Sequence, residues 1–284
     1  MKKFLFKILR YSGLPFLFRE LIQRNRITIL LFHDISPETA EVTFQFLKKK
    51  YNIIGLNDLL NAIDYKKLIA LPRKSMILTF DDGHIGNYNL LPLIKEHKIP
   101  VSIFLCAAII NTNRSFWFTY KPSEEKKREL KRIMNSERLA ILNKFGYNQE
   151  DEYEAPQALT KSQIIEMKEN INFQSHTLFH PILTQCSYDD TRKEIIDSKN
   201  LLEKDYGLKI NAISYPNGDY SKREIEIAME GGYSCGVTVD YGFNSLKTDV
   251  YKLKRISVKD TFNLDELIVK SSGVWGLLKH FSKY

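Results

Sequence analysis

The sequence predicts an α/β barrel, and three observations carry that prediction. The apolar runs "ITILLF" (27–32), "SMILTF" (75–80) and "VSIFLCA" (101–107) are continuous, not alternating. Continuous apolar strands are buried on both faces, as in a parallel sheet covered by helices. Helical stretches separate them in a repeating β-α order, and seven or eight such units fit along the chain. That number suits a closed barrel better than a doubly wound sheet. A chain of 284 residues, 43% hydrophobic, has the apolar material for one large domain of this kind.

In chain order, "ITILLF" is the first strand and "HDISP" the loop after it. "PETAEVTFQFLKKKY" is helical, with Phe44 and Leu47 at i, i+3. "NIIGL" is a short second strand, and "NDLLNAI" a short helix with Asn57 as N-cap. "SMILTF" is the third strand, "NLLPLIKEH" a helix and "VSIFLCA" the fourth strand. Residues of about 111–158 interrupt this rhythm. There "SEEKKRELKRIMNSERLAILNKFG" reads as one long charged helix, with i,i+4 pairs such as Glu124–Arg128 and Gly146 at its end. This is a helical insertion after the fourth strand, either a solvated excursion or a lid over substrate. The rhythm resumes with "LTKSQIIEMKE" (helix, Thr160 as N-cap), "INFQSHT" (strand) and "YDDTRKEIIDSKNLLEKDYG" (helix ending at Gly207). "INAISYPNG" is a strand and turn, "KREIEIAMEGG" a helix, and "YSCGVTV" and "YKLKRISV" are strands. "LDELIVKSSGVWGLLKHF" closes the chain as a helix.

Charge divides the chain in two. Residues 1–26 hold seven basic side chains against the single acid Glu20, which is +6 of the net +8. The barrel of 27–284 is therefore close to neutral, which argues against nucleic-acid binding. The N-terminal segment has a basic helical face, with Lys3, Lys7 and Arg10 at i, i+4, i+7, while Phe4, Leu5, Ile8 and Leu9 occupy the other faces. Lys7 and Arg10 interrupt its apolar run, so neither a cleavable signal peptide nor a membrane span is expected. Two readings fit: a basic amphipathic helix lying in an anionic membrane surface, or a helix packed against the barrel with its basic face in water. Cys106, Cys186 and Cys235 are scattered and odd in number, which fits three buried thiols in a reducing, cytoplasmic setting.

Three strands end in polar clusters: "TFDDG", "FQSHTLFH" and "ISYPNG". In a (β/α) barrel the C-terminal strand ends converge on one face, where residues distant in sequence meet. His176 and His180 lie at i, i+4, so one helical turn would put both imidazoles on one side. Two imidazoles and one carboxylate form a metal set that leaves positions open for water and substrate. Adjacent carboxylates at the end of a buried strand repel each other. A cation held by one of them would offset that repulsion and leave the other as a base.

These clusters resemble the motifs of the polysaccharide deacetylases of carbohydrate esterase family four. "TFDDG" (Thr79–Gly83) is similar to the first motif, "SHTLFH" (Ser175–His180) to the second, and "SYPNG" (Ser214–Gly218) sits where the third would be. The resemblance runs from about Ile27 to Val258. It implies a distorted (β/α)7-type barrel with fewer than eight regular strands. It also implies that Asp82, His176 and His180 bind a divalent metal, with zinc favoured and cobalt, nickel or manganese as alternatives. Asp81 would be the general base, taking a proton from water activated by the metal. A backbone N–H near Asn217 would hold the oxyanion. Ser175 and Thr177 would orient the histidines, with Arg255 among the supporting groups. Where the family's third motif carries an Arg that braces the base, this chain has Ser214. Where its fifth supplies a His as acid, this chain has Arg255 nearby and only His280 further on. His33, at the end of the first strand, is the candidate acid; a structural histidine at the barrel mouth is its alternative role. Asp240 is a possible fourth-motif remnant. Trp117 and Tyr215 are the aromatics picked for sugar stacking, out of 34.

The leading functional expectation is a metal-dependent hydrolase removing N-acetyl groups from a glycan. With membrane contact through residues 1–26, the substrate would be a lipid-linked sugar met at the cytoplasmic face. A glycan-binding barrel that has lost turnover is the second class. A phosphatase with an Asp nucleophile is the third, disfavoured because the carboxylates are adjacent and no DxD spacing occurs there.

Overall fold

A computed structural model describes residues 2–64, 70–120, 123–261 and 263–276, without the side chains of Lys2 and Glu124. His280, the Glu124–Arg128 pair and the last turns of the closing helix lie outside the described residues. Among the described residues, eight parallel strands form one sheet: β1 (Ile27–Phe32), β2 (Asn52–Ile53), β3 (Ser75–Phe80), β4 (Val101–Leu105), β5 (Ile171–Ser175), β6 (Ala212–Ser214), β7 (Cys235–Val237) and β8 (Ile256–Ser257). Their order is β7-β6-β5-β4-β3-β1-β8, with β2 beside the start of β3. β1 and β3 run in full register from Ile27↔Ser75 to Phe32↔Phe80. The segment leading into β8 completes the curl. Leu253 pairs with Val237 of β7, and three residues later Ile256 pairs with Leu30 of β1. The result is the predicted distorted barrel.

The helices are α1 (Lys2–Tyr11), α2 (Leu14–Leu17), α3 (Pro37–Lys50), α4 (Leu56–Asp64), α5 (Leu91–His97), α6 (Glu124–Leu130), α7 (Asn135–Lys144), α8 (Lys161–Met167), α9 (Tyr188–Tyr206), α10 (Lys222–Glu230) and α11 (Leu264–Ser271). Several starts follow from capping chemistry. Ser36, Ser123, Thr160, Ser187 and Asn263 each accept a backbone N–H of their own first turn, and Ser221 and Thr160 complete capping boxes.

The strand pleat sorts side chains into two cores, because successive residues point to opposite faces. Ile29, Ile77, Phe104, Ala212, Val237 and Leu253 fill the barrel interior, which α4 closes with Leu56, Leu59 and Leu60. Leu30, Leu78, Ile103, Phe173, Ile213 and Ile256 face outward under the helices. The same inward parity reaches the mouth at His33, Asp81 and His176, one residue past β1, β3 and β5, and at Ser214, the last residue of β6, with Arg255 just before β8. The three cysteines are buried and unpaired with one another.

The insertion departs from expectation. Its charged stretch is two helices, α6 and α7, not one. Leu130 and Leu142 would lie about 18 Å apart along a continuous helix. The break at 131–134 lets both pack with Trp117, Tyr147 and Ile182 in a separate small core.

Candidate active site and metal centre

Strand β3 delivers Asp81 and Asp82 to the mouth, and the chain turns sharply there. Asp82 and Gly83 both have left-handed backbone, with φ of 72° and 68°. A Cβ on Gly83 would lie 2.5 Å from Leu105 Cδ2, so the glycine is required by both conformation and contact. The turn sends the two carboxylates in different directions.

Asp81 is fully braced. Arg255 donates through Nη1 to Oδ1 at 2.8 Å and through Nη2 to Oδ2 at 2.7 Å, a bidentate pair. Ser214 Oγ also donates to Oδ2, at 3.0 Å. Arg255 is itself held by Thr238 O and Thr79 Oγ1. Burial raises the Asp81 pKa, but Arg255 and His176 outweigh it and hold the carboxyl below its ordinary range. The site of the missing Arg is thus filled twice, by Ser214 at the expected position and by Arg255 from the far end of the barrel.

Asp82 is different. Its Oδ2 lies 3.1 Å from His84 Nε2. Its Oδ1 is buried with no hydrogen-bond partner and sits 3.4 Å from both His176 Nε2 and His180 Nε2. One ligand atom from each of these three residues lies within 4.8 Å of the others, and all three residues are buried. His176 Nδ1 is 2.7 Å from Ser214 O, so donation there leaves Nε2 with its lone pair toward Asp82. The set fits a divalent cation: two imidazole nitrogens and an orphaned carboxylate oxygen, in a pocket where an unpaired charge would be costly. Burial opposes ionisation of Asp82, yet the imidazoles around it, His176, His84 and His180, hold it well below the carboxylate range. His176 is shifted up by the two carboxylates against its burial, whereas burial drives His180 down to about 3.

The two histidines meet without a helix. Residues 176–180 are a loop with left-handed Thr177 (φ 67°) and His180 (φ 58°). Thr177 Oγ1 accepts the His180 N–H at 3.2 Å, and Ser175 Oγ accepts that of Thr177 at 3.3 Å. Glu194 Oε2, on α9, accepts the N–H groups of Leu178 and Phe179 at 2.8 and 3.0 Å. Its desolvation raises the Glu194 carboxyl to about 7 against those donors. The rings of His176 and His180 end 4.7 Å apart and nearly perpendicular.

A cavity of about 320 Å³ opens over this centre, and His33, Asp81, Asp82, His176, His180 and Asn217 all line it. His33 Nδ1 is 3.7 Å from Asp260 Oδ2. Asn217 accepts a hydrogen bond from Lys131 Nζ at 2.7 Å, which ties the insertion to the loop after β6. Lys127, Arg128 and Lys131 line the same cavity, and Arg128, Lys131 and Arg132 line an adjoining one. Asp240 accepts from Tyr220 at 2.7 Å and is absent from the cavity lining.

The aromatic picks need correction. Tyr215 is wholly buried and lies in the outer core, stacked on Tyr220. The pleat explains it: Ser214 shares the inward parity of Ala212, so Tyr215 faces the helices. Trp117 lines the cavity but is only 2% exposed. Its indole N–H donates to His180 O at 2.9 Å, so it supports the metal corner more than it offers a face to a sugar. Phe118, half-buried and edge-on to His180 at 4.8 Å, is the more accessible ring. Sequence reasoning missed His84, whose place two residues after Asp82 was a usable signal. It also missed Glu194, for which the sequence carries none.

The parallel barrel thus carries at its mouth a buried carboxylate–imidazole corner that could hold a divalent ion, beside a braced second carboxylate. The Polysaccharide deacetylase family profile matches residues 69–236. The chain belongs to the polysaccharide deacetylase family. A Bacillus subtilis (strain 168) protein, YxkH, named as a candidate polysaccharide deacetylase, is 26% identical over 187 residues, 65% of this chain. The match covers 52% of that protein, so the chain spans about half the length of this curated relative. The deacetylase PplD of Streptococcus pyogenes, solved with acetate, superposes with a TM-score of 0.64 at 24% identity, over 87% of this chain and 99% of that one. A de-N-acetylase from Aggregatibacter actinomycetemcomitans gives 0.63 at 16% identity, over 85% and 98%. At these identities the structures speak for the fold.

Proposed function

We propose that this protein is a metal-dependent deacetylase that hydrolyses N-acetyl groups of a glycan. The observation that carries the reading is the buried Oδ1 of Asp82, unpartnered between two imidazoles and next to a carboxylate that is already braced. Asp82, His176 and His180 would hold the ion, and zinc suits that donor set best. When bound, the ion supplies Lewis acidity, which acidifies water and polarises a carbonyl. Asp81 accepts the proton of the attacking water. Arg255 and Ser214 fix the orientation of its carboxylate and keep it ionised beforehand. The main-chain N–H of Asn217 stabilises the oxyanion as charge develops there. His33 donates a proton to the departing amine nitrogen and is reprotonated from solvent as Asp81 gives up the proton it took, which leaves acetate and a free amino sugar. Arg128, Lys131 and Arg132 beside the cavity favour a glycan bearing phosphate, as a lipid-linked sugar does.

The bidentate Arg255 brace on Asp81 favours turnover over a binding barrel without it. The test is acetate release from N-acetylated oligosaccharides and from polyprenyl-phosphate-linked N-acetylhexosamine. Release that Asp81→Asn abolishes is expected. Release that survives this change would refute the assignment of the base.

A further inference from the structure

We propose that residues 2–22 form a docking surface for a bilayer containing anionic lipid. The inference is independent of the deacetylase reading and rests on how α1 is placed. Phe6 and Leu9 are buried against Val269, Val274 and Trp275, with the Phe6 and Trp275 rings 4.6 Å apart. Arg10 Nη1 pairs with Asp265 of α11 at 2.6 Å. Further along, Gln23 is buried and its amide donates to Thr28 Oγ1 and Ser271 O. The segment is thus fastened to the barrel flank at three points.

A helix docked in this way normally turns a polar face to water. Here the face opposite Phe6 and Leu9 is apolar. At about 100° per residue, Phe4, Ile8 and Tyr11 point away from the barrel, and they are 70%, 51% and 70% exposed. Phe16 and Leu21 continue the surface at 58% and 71%. Among the described residues, nine of the eighteen exposed large apolar side chains fall within residues 4–22. Exposed Lys3 and Lys7 flank the outward stripe of α1. The acid of the segment, Glu20, is neutralised by Arg19 and Lys74.

An outward apolar stripe bordered by lysines selects between occupants. Protein–protein interface cores are depleted in lysine. A headgroup layer of anionic lipid takes both features: aromatic and aliphatic side chains enter the acyl boundary while lysines meet phosphates. Apolar patches of this extent on a folded chain mark a contact surface.

The test is flotation of the full chain with vesicles of phosphatidylglycerol and phosphatidylcholine, beside pure phosphatidylcholine. Binding to the anionic vesicles is expected, with at least a tenfold fall in partitioning for Phe4→Ser/Ile8→Ser/Phe16→Ser/Leu21→Ser. These side chains are exposed, so the thermal melt should be unchanged. Lys3→Gln/Lys7→Gln should weaken binding to the anionic vesicles alone. Wild-type protein that stays unbound on anionic vesicles would overturn the proposal. So would equal partitioning of the serine variant, or a lipid-free dimer that the serine changes dissociate, which would make the surface a contact between copies.

Discussion

Asp81 and Asp82 are adjacent in sequence and both buried, yet their surroundings are opposite. Both oxygens of Asp81 are held, by a guanidinium and a hydroxyl. Asp82 keeps one oxygen on His84, and its other faces two imidazoles without a hydrogen-bond partner. The first corner is complete as folded. The second has the donor set of a cation site. A buried acceptor left unsatisfied costs about 1–3 kcal/mol, and more when charged, so an ion bound there would relieve that cost. In the proposed mechanism the difference also separates two tasks, holding a metal and moving a proton.

Removing either carboxylate tests that division. Asp82→Ala takes away the ligand itself, so elemental analysis should find metal lost, with acetate release down by about a thousandfold or more. Asp81→Asn should cost about 10²–10⁴-fold in rate while metal content stays at the wild-type level. Equal metal loss in both variants would merge the two corners into one. His84→Ala removes the group that orients Asp82, and competition with a chromogenic chelator should show about 10–100-fold weaker metal binding.

The strand ends were legible because three physical signals coincided there: continuous apolar runs, an abrupt switch to polar residues, and ligand types at fixed spacing. The two imidazoles and one of the paired carboxylates follow from them, and the family resemblance is what implied that the carboxylate is Asp82. Other features depend on facts that residue type does not carry. His176 and His180 converge through a left-handed loop held by Glu194, not through helical spacing. Arg255 reaches Asp81 from 174 positions away because the barrel closes there. Tyr215 is buried because of the parity of a three-residue strand, and that parity was available once Ser214 was placed inward. The break between α6 and α7 reflects a core formed with Trp117 and Tyr147, which the charge pattern of the helices does not reveal.

Acid titration gives a subtler comparison in protein stripped of metal. Burial puts the folded pKa of His180 at about 3, against about 6.5 when unfolded. A depressed folded value means its contribution is complete above about pH 6.5 and is lost as pH falls toward 3. The slope approaches about 1.4 kcal/mol per pH unit in that window. His176, shifted upward, works in the opposite sense: its contribution is present below about 6.5 and lost as pH rises through its folded value. Urea melts between pH 7 and 4 should therefore show an acid-side loss that His180→Gln reduces. Unchanged melts in the variant would remove His180 from the account. The smallest effect belongs to Tyr215→Phe. The phenol oxygen is buried without a partner, so stability should move by no more than about 1 kcal/mol and acetate release should be unaltered. A large rise in KM would return Tyr215 to the substrate.

The hydrogen bond from Lys131 to Asn217 joins an add-on arm to the rim where the carbonyl would lie. An enzyme wired this way can be retuned from outside its chemistry. On the proposed function, grafting a different 123–147 arm would alter which sugars are accepted and how fast they turn over, with the inner constellation inherited intact.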